Sequence, residues 1–448
     1  MWAVGLPLAA CAQAPALATF SVGPTTVTAS ALTSSLNHVW ELVWGPDNFI
    51  WMTERTGRIS RVNPASGQVL PLLAVPDVTP VGESGLLGMV LHPDFATSPY
   101  VYVVYNYTDA GALKEKVVRF TYSAAANSLT APLVLLGNIV ATTTHSGSRL
   151  LILPDRTLLM TTGDAQLQPE AQNRASLNGK ILRMNLDGTV PADNPTPGSL
   201  VYTLGHRNPQ GLVRLPNGRL YSSEHGPSSD DEINKIEANR NYGWPDVEGA
   251  CNLPAELTFC AANNVREPLT AWTPTIAPAA LTYYDHPAIP GWRGSLLLAT
   301  LKNQQLVQLP LNPAGDAITA RPVFLTGTFG RLRALCVSPE GKVYVGSSNG
   351  STDRILVLEN RAFVASATQA AARFVFALFP NPARRQATVQ LPVPDARVTV
   401  RDVLGRLVYS LRPAGTTATL DLASLRPGTY LVQVAGPTGT ATQKLVIE

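Results

Sequence analysis

The sequence predicts an all-β chain, a six-bladed β-propeller followed by a small Ig-like β-sandwich. Three observations predict it. A turn-and-strand unit recurs six times between residues 45 and 347. The last 75 or so residues break into short runs of alternating apolar and polar residues, the period-two signature of strands. Composition agrees, with 34 glycines and 37 prolines but only 15% charged residues, against a usual ~25%, which excludes a disordered chain, a coiled coil and a long-helix protein. The 34 basic and 31 acidic residues give a net charge of +3 without charged blocks, so there is no electrostatic footprint for a nucleic acid. No apolar run is long enough to predict a transmembrane helix.

The first element is an export segment. Met1–Leu17 is apolar, rich in alanine, and ends near Ala12-Gln13-Ala14, which fits a secretory signal peptide over residues 1–19 with a small-residue cleavage site but without a basic n-region, as a truncated start would give. Leu8-Ala9-Ala10-Cys11 also fits a lipobox, so cleavage and lipidation of Cys11 stand as alternatives. In an exported chain Cys251 and Cys260, which bracket a short polar stretch, are candidates for a disulfide. Cys336, inside the apolar run Leu335-Cys336-Val337, reads as a buried, inert thiol.

The propeller is expected over residues 20–360. Its unit is a Pro, Asp, Asn or Gly turn followed by an aromatic and aliphatic strand, seen in Gly45-Pro46-Asp47-Asn48-Phe49-Ile50-Trp51, His92-Pro93-Asp94-Phe95 and Leu153-Pro154-Asp155-Arg156. It returns at Leu215-Pro216-Asn217-Gly218, more loosely at Pro290-Gly291-Trp292, and at Ser338-Pro339-Glu340-Gly341. Second strands such as Gly57–Val62 and Gln305–Leu309 complete hairpins. Radial closure of six such units leaves only short sheet edges. Trp40, Trp44 and Trp51 alternate like blade core. The unequal spacing predicts long loops, gathered on one face around the central channel, where a site would be built.

A linker rich in Ala, Ser and Thr is expected over 361–373. Strands at Thr388–Leu391, Arg397–Asp402, Arg406–Leu411, Thr419–Leu422, Thr429–Val434 and Thr442–Ile447 then predict the sandwich, over 374–448.

Two stretches concentrate chemistry. From Gly205 to Pro245, His206-Arg207-Asn208 places an Arg fork and an Asn amide at the head of a strand, a pairing that holds carboxylates or carbonyls. Glu224-His225-Gly226-Pro227 and Asp230-Asp231-Glu232 follow, a bent acidic stretch that reads either as a solvated turn or as carbonyl and carboxylate oxygens for Ca²⁺. In the second stretch, His145 and Asp164 flank two strands joined around Pro154-Asp155-Arg156, so a hairpin brings them together. A carboxylate-held His is a general-base arrangement, and a structural His is the alternative. His38, His92, His206 and His286 lie in turns and read as structural or surface residues. No Cys and His cluster has zinc spacing, and no phosphate loop follows a strand.

His145–Leu150, Gly163-Asp164, Asn178-Gly179-Lys180-Ile181-Leu182-Arg183, Gly205–Leu212, Gly226-Pro227 through Asn234, and Asn241-Tyr242-Gly243-Trp244-Pro245 resemble the soluble quinoprotein glucose and sorbosone dehydrogenases, over roughly residues 30–360. The resemblance implies a six-bladed propeller using pyrroloquinoline quinone (PQQ) and calcium to oxidise an aldose at the anomeric C1 hydroxyl, giving a lactone and passing electrons to an unidentified acceptor. It assigns His145 as base, Asp164 as its orienting carboxylate and Arg207 as stabiliser of charge developing on the quinone. Asn208, His225, Thr275, Lys302, Arg331 and Arg333 match cofactor positions, and the Gly226 and Pro227 carbonyls match the cofactor's calcium. Glu232 and Tyr242 match a separate structural calcium. The chain departs from the glucose enzymes at Glu83, a substrate-side position, and at His225, where they carry Gln. Glu83 is similar to the broad-specificity aldose branch. A calcium-dependent propeller lactonase and a non-catalytic sugar-binding propeller are the rival readings.

Phe379-Pro380-Asn381-Pro382, Val403-Leu404-Gly405-Arg406, Leu425-Arg426-Pro427-Gly428-Thr429-Tyr430 and Lys444-Leu445-Val446 resemble the C-terminal sorting domain of type IX secretion cargo, with an Ig-like accessory module as the alternative. The resemblance implies export through the type IX machinery to the cell surface or the medium.

Overall fold

The computed structural model describes residues 14–364, 376–391, 396–403, 405–436 and 439–448. Most of the expected signal peptide with Cys11, the expected linker from residue 365 on, and Leu404 lie outside the described residues. The chain divides into two compact units, Met1–Arg361 and Ala362–Glu448.

The first unit is a closed ring of six antiparallel sheets. Blade one comprises Val39–Trp44, Ile50–Glu54, Arg58–Val62 and Val69–Ala74, and blade two Leu86–Leu91, Tyr100–Asp109, Ala112–Ser123 and Ser128–Val140. Blade three comprises Gly147–Ile152, Thr157–Thr162, Lys180–Asn185 and Val201–Leu204, and blade four Pro209–Arg214, Leu220–Glu224, Asp231–Ile236 and Thr270–Trp272. Blade five runs from Pro278–Tyr284 through Ser295–Thr300 and Leu306–Pro310 to the short Val323–Phe324. Blade six joins Leu332–Val337, Val343–Ser347 and Asp353–Glu359 to the N-terminal strands Thr25–Leu36 and Ala18–Val22. The first strand of each blade is innermost, and each innermost strand packs on the next until the sixth meets the first. Every recurring Pro, Asp or Gly turn lies between an innermost strand and the second strand of its blade.

Six apolar clusters fill the six gaps between neighbouring blades. Because successive side chains of a strand point to opposite faces, one strand feeds two clusters. Trp51 packs toward blade two, while Ile50 and Met52 pack toward blade six. Both faces being buried, these strands read as continuous apolar runs rather than half-polar ones. Thr25–Leu36 pairs with Asp353–Glu359, closing the ring with chain from its opposite end.

A helix in the first unit departs from the sequence reading. The polar stretch between Cys251 and Cys260 contains a helix, Pro254–Asn263, pinned by a Cys251–Cys260 disulfide. Pro254 occupies its first turn, where a missing N–H is harmless, and the Glu256 carboxylate accepts from the Asn252 and Leu253 amides at 3.1 and 2.9 Å. Cys336 is a buried free thiol, which burial pushes well above its usual pKa.

The second unit is a two-sheet sandwich. Ala377–Phe379, Gln386–Gln390 and Thr417–Asp421 form one sheet, and Leu407–Leu411, Arg397–Asp402, Gly428–Gly436 and Gly439–Ile447 the other. Val389 and Leu420 pack with Val398, Val400, Val432 and Leu445. Ala377–Phe379 is the strand that the sequence reading lacked. Among the described residues no helix is long and apolar enough to cross a membrane.

Candidate active site

In an antiparallel blade the start of the innermost strand and the end of the second strand share one face of the ring. Glu83, His145, Arg207, Asn208, Thr275 and Arg331 immediately precede innermost strands, and Arg333 lies one residue inside one. Asp164, His225, Gly226, Pro227 and Lys302 immediately follow second strands. The topology therefore delivers residues 250 positions apart in sequence to one end of the central channel.

His145 and Asp164 meet as the hairpin predicts, with His145 Nδ1 2.7 Å from Asp164 Oδ1. Asp164 is fully buried, while the His145 side chain is 15% exposed and open to a ligand. Asp164 is fixed by three further hydrogen bonds, two to its carboxylate and one through its backbone. The Trp244 indole N–H donates to Oδ2 at 2.8 Å, the Gln166 amide to Oδ1 at 2.7 Å, and the Asp164 amide to the Arg207 carbonyl at 2.8 Å. An anionic acceptor on Nδ1 selects the tautomer with Nδ1–H, leaving Nε2 as a free lone pair. The His145 amide in turn donates to Glu83 Oε2 at 3.3 Å, which ties the Glu83 carboxylate to the backbone of the turn that carries His145.

Arg207 and Asn208 are held through their backbone. Glu224 Oε1 accepts both amides, and Glu224 Oε2 lies 2.8 Å from Nδ1 of His206. His206 is a fully buried structural residue, 2.9 Å from the Thr203 hydroxyl and stacked on Tyr242. The Arg207 guanidinium lies 5.3 Å from the Trp244 ring. Burial pulls it below its usual pKa against the opposing charges of Asp164 and Glu224. Asn208 Oδ1 accepts from the Gly147 amide at 3.1 Å and from Gln210 Nε2 at 2.9 Å, and Arg333 donates to Gln210 Oε1 at 2.8 Å. Arg333 is buried, and burial, with Arg331, Arg149 and Arg55 nearby, brings its guanidinium down to about 9 despite Glu83. Lys302 donates to the Thr275 hydroxyl at 2.7 Å. His225 Nε2 lies 2.8 Å from the Pro278 carbonyl, and burial lowers its pKa.

Three buried donors on this face, Arg55 Nε, Arg207 Nε and Asn208 Nδ2, have no acceptor among the described residues. With Lys302, Arg331 and Arg333 they make a donor set short of acceptors, and a planar polyanion rich in carboxylate and carbonyl oxygens matches it. Beside it, Gly226, Pro227, Glu232 and Tyr242 line one small cavity together with Glu224 and Asp230. Burial and the neighbouring Glu224 push Glu232 well above the usual carboxylate range. Carboxylate oxygens crowded beside the Gly226 and Pro227 backbone are the donor chemistry a hard cation selects, and Arg207 lines the same cavity. The Tyr242 hydroxyl contributes nothing to it, since it donates to the Lys235 carbonyl at 2.7 Å. Among the described residues no three His, Cys, Asp or Glu side chains cluster at metal-binding geometry.

Sequence reasoning assigned no role to Trp244, Gln210 or Arg55 and read Glu224 only as part of an acidic turn or calcium stretch, yet all four hold site residues. Arg55 donates to the Gly82 carbonyl and its own carbonyl accepts the Leu86 amide, which fixes the turn carrying Glu83. Trp244, Gln210 and Glu224 lie inside quoted motifs, yet the Trp244 partner Asp164 is 80 residues away and no local pattern joins them.

The profile of the glucose/sorbosone dehydrogenase family matches residues 36–357, and that of a secretion system C-terminal sorting domain matches residues 377–448. The quinoprotein glucose dehydrogenase B of Acinetobacter calcoaceticus is 34% identical over 395 residues, which cover 69% of this chain and 83% of the relative. An aldose sugar dehydrogenase of Escherichia coli K12 is 30% identical over 356 residues, covering 75% of this chain and 93% of the relative. Among solved structures, the PQQ-bound aldose sugar dehydrogenase of Streptomyces coelicolor aligns with a TM-score of 0.64 at 34% identity, covering 75% of this chain and 99% of that one.

Proposed function

The chain belongs to the glucose/sorbosone dehydrogenase family of oxidoreductases and ends in a type IX secretion sorting domain, and from that premise we propose that it is a secreted PQQ-dependent aldose dehydrogenase, oxidising the anomeric C1 hydroxyl to a lactone with His145 as base. The observation that carries this reading is the His145–Asp164 pair at 2.7 Å, placed on the same face as buried donors that lack acceptors.

Arg207, Asn208, His225, Thr275, Lys302, Arg331 and Arg333 would hold the cofactor, and the carbonyls of Gly226 and Pro227 its calcium, with Glu232 and the Tyr242 carbonyl left for a structural calcium. Bound PQQ supplies the acceptor for the hydride that leaves C1. His145 Nε2 takes the proton of the C1 hydroxyl as the C–H bond breaks, and Asp164 stabilises the imidazolium that results. Arg207 stands ready to stabilise negative charge, a role whose loss typically costs ~10²-fold or more. Glu83, beside His145, orients the sugar by accepting from its hydroxyls and favours a broad aldose range. Thus the substrate loses two electrons and two protons, one of them to His145.

A dye-linked assay tests the reading. Apo protein given PQQ and Ca²⁺ should reduce an artificial acceptor with several aldoses and yield the lactone. Absence of turnover with bound quinone would favour the sugar-binding propeller, and lactone hydrolysis in place of dye reduction the hydrolase.

A further inference from the structure

The segment that presents His145 is held in an unfavourable conformation. His145, Gly147 and Ser148 have φ of +57°, +68° and +72°, and the left-handed region costs a non-glycine residue roughly 1 kcal/mol or more. Such a turn persists only if its surroundings hold it. The holders sit in blade two, where Asn106 and Glu115 face each other across adjacent strands, both fully buried. Asn106 Nδ2 donates to Ser146 Oγ at 3.3 Å, and Asn106 Oδ1 accepts the Gly85 amide at 3.1 Å. Glu115 Oε1 is hydrogen-bonded to Ser148 Oγ, which also lies 3.2 Å from the Ser146 carbonyl. One cross-strand pair thus grips the turns that carry His145 and Glu83.

The proton count at Ser148 is decisive. Its hydroxyl has one proton and faces two oxygens, a carbonyl that can only accept and a carboxyl. Both contacts are made together only when Glu115 carries the proton and donates it to Ser148 Oγ, freeing the Ser148 proton for Ser146. No charged group opposes this. Lys114 and Lys116, flanking Glu115, turn outward to Asp109 and Asp77, and Tyr105 on the neighbouring strand also bonds Asp77. Arg149, beside Ser148, pairs with Glu41, and the strand Ser128–Val140 has no ionisable side chain.

We propose that Glu115 is a positioning residue, a protonated carboxylic acid that donates to Ser148 and thereby holds the His145 turn in its base-presenting conformation. The inference rests on His145 acting as base. Burial pushes the Glu115 carboxyl up to about 8. Above that pH the carboxylate becomes an acceptor only, Ser148 turns its proton to it, and the Ser146 carbonyl loses its donor.

The test compares wild type, Glu115→Gln and Glu115→Ala as full chains, loaded with PQQ and Ca²⁺, with kcat and KM measured from pH 6 to 10. The amide of Gln donates without ionising. It should restore near-wild-type kcat at pH 7 and remove the alkaline loss of kcat that wild type shows above about pH 8. Alanine should lower kcat roughly tenfold to a hundredfold with KM little changed. In the unloaded protein, the His145 ring resonances, identified by their absence in His145→Ala, should show an inflection near pH 8 that Glu115→Gln lacks. A wild-type profile flat through pH 9, an alkaline limb unchanged in Glu115→Gln, or full kcat in Glu115→Ala overturns the proposal. Should His145→Ala turn over normally, the base assignment fails instead, and the resonance titration still decides whether Glu115 reaches His145.

Discussion

The His145 imidazole commits Nδ1 to Asp164 and leaves Nε2 for chemistry, so the two residues fail differently. Asp164→Asn removes the charge and presents an amide donor where an acceptor is needed, favouring the wrong tautomer. We predict a fall in kcat of roughly 10²-fold or more, with PQQ affinity nearly unchanged, measured by steady-state kinetics and quinone titration. Glu115 makes a pH prediction. Its folded pKa lies above the ordinary value of 4.5, so its contribution to stability is complete below that value and declines as pH rises through about 8. Urea midpoints of wild type should therefore fall between pH 5 and 8.5 more steeply than those of Glu115→Gln, and parallel slopes would sink the assignment. His145 and Asp164 were legible because a hairpin joins them. Glu115 and Trp244 were not, since Glu115 meets Ser148 across 33 residues and Trp244 meets Asp164 across 80, contacts created by blade packing rather than by local pattern.

Blades were legible as elements because the same turn opens the second strand of each, and the period-two alternation survives in strands whose two faces feed different clusters. The ring's closure was not. Thr25–Leu36 pairs with Asp353–Glu359, and nothing in either strand's own sequence names a partner more than 300 residues away. Without it, the Asp353–Glu359 edge would be open to pairing with other chains, and the cluster between blades five and six would lose Val27 and Ala29. Deleting residues 14–36 should therefore give a protein that aggregates or unfolds without cooperativity, seen by light scattering and thermal melting. A monomeric, cooperatively folding product would show that closure is dispensable. The disulfide-pinned helix Pro254–Asn263 escaped sequence reading because it is short and stabilised by a covalent link and a Glu256 cap rather than by an apolar stripe.

At the scale of the molecule, the two units have separate cores and separate tasks. The sandwich is the export address, and all proposed chemistry lies before Arg361. A chain ending at Arg361 should keep kcat and KM within about twofold of the full chain, each unit having its own core, yet fail to reach the cell surface or medium. Activity lost with the sandwich would contradict this division. Six loops converging on one end of a ring explain why widely spaced residues form one site, and that convergence was legible once six repeats were counted. The central claim is that this face holds PQQ while His145 supplies the base. Its most direct measurement is single-turnover reduction of the bound quinone, followed by absorbance after mixing with an aldose, in wild type and His145→Ala. Both proteins should bind PQQ with similar affinity, and only wild type should reduce it rapidly, by a margin of roughly 10²-fold or more. Equal reduction rates in the two, or failure of wild type to bind the quinone, would contradict the account.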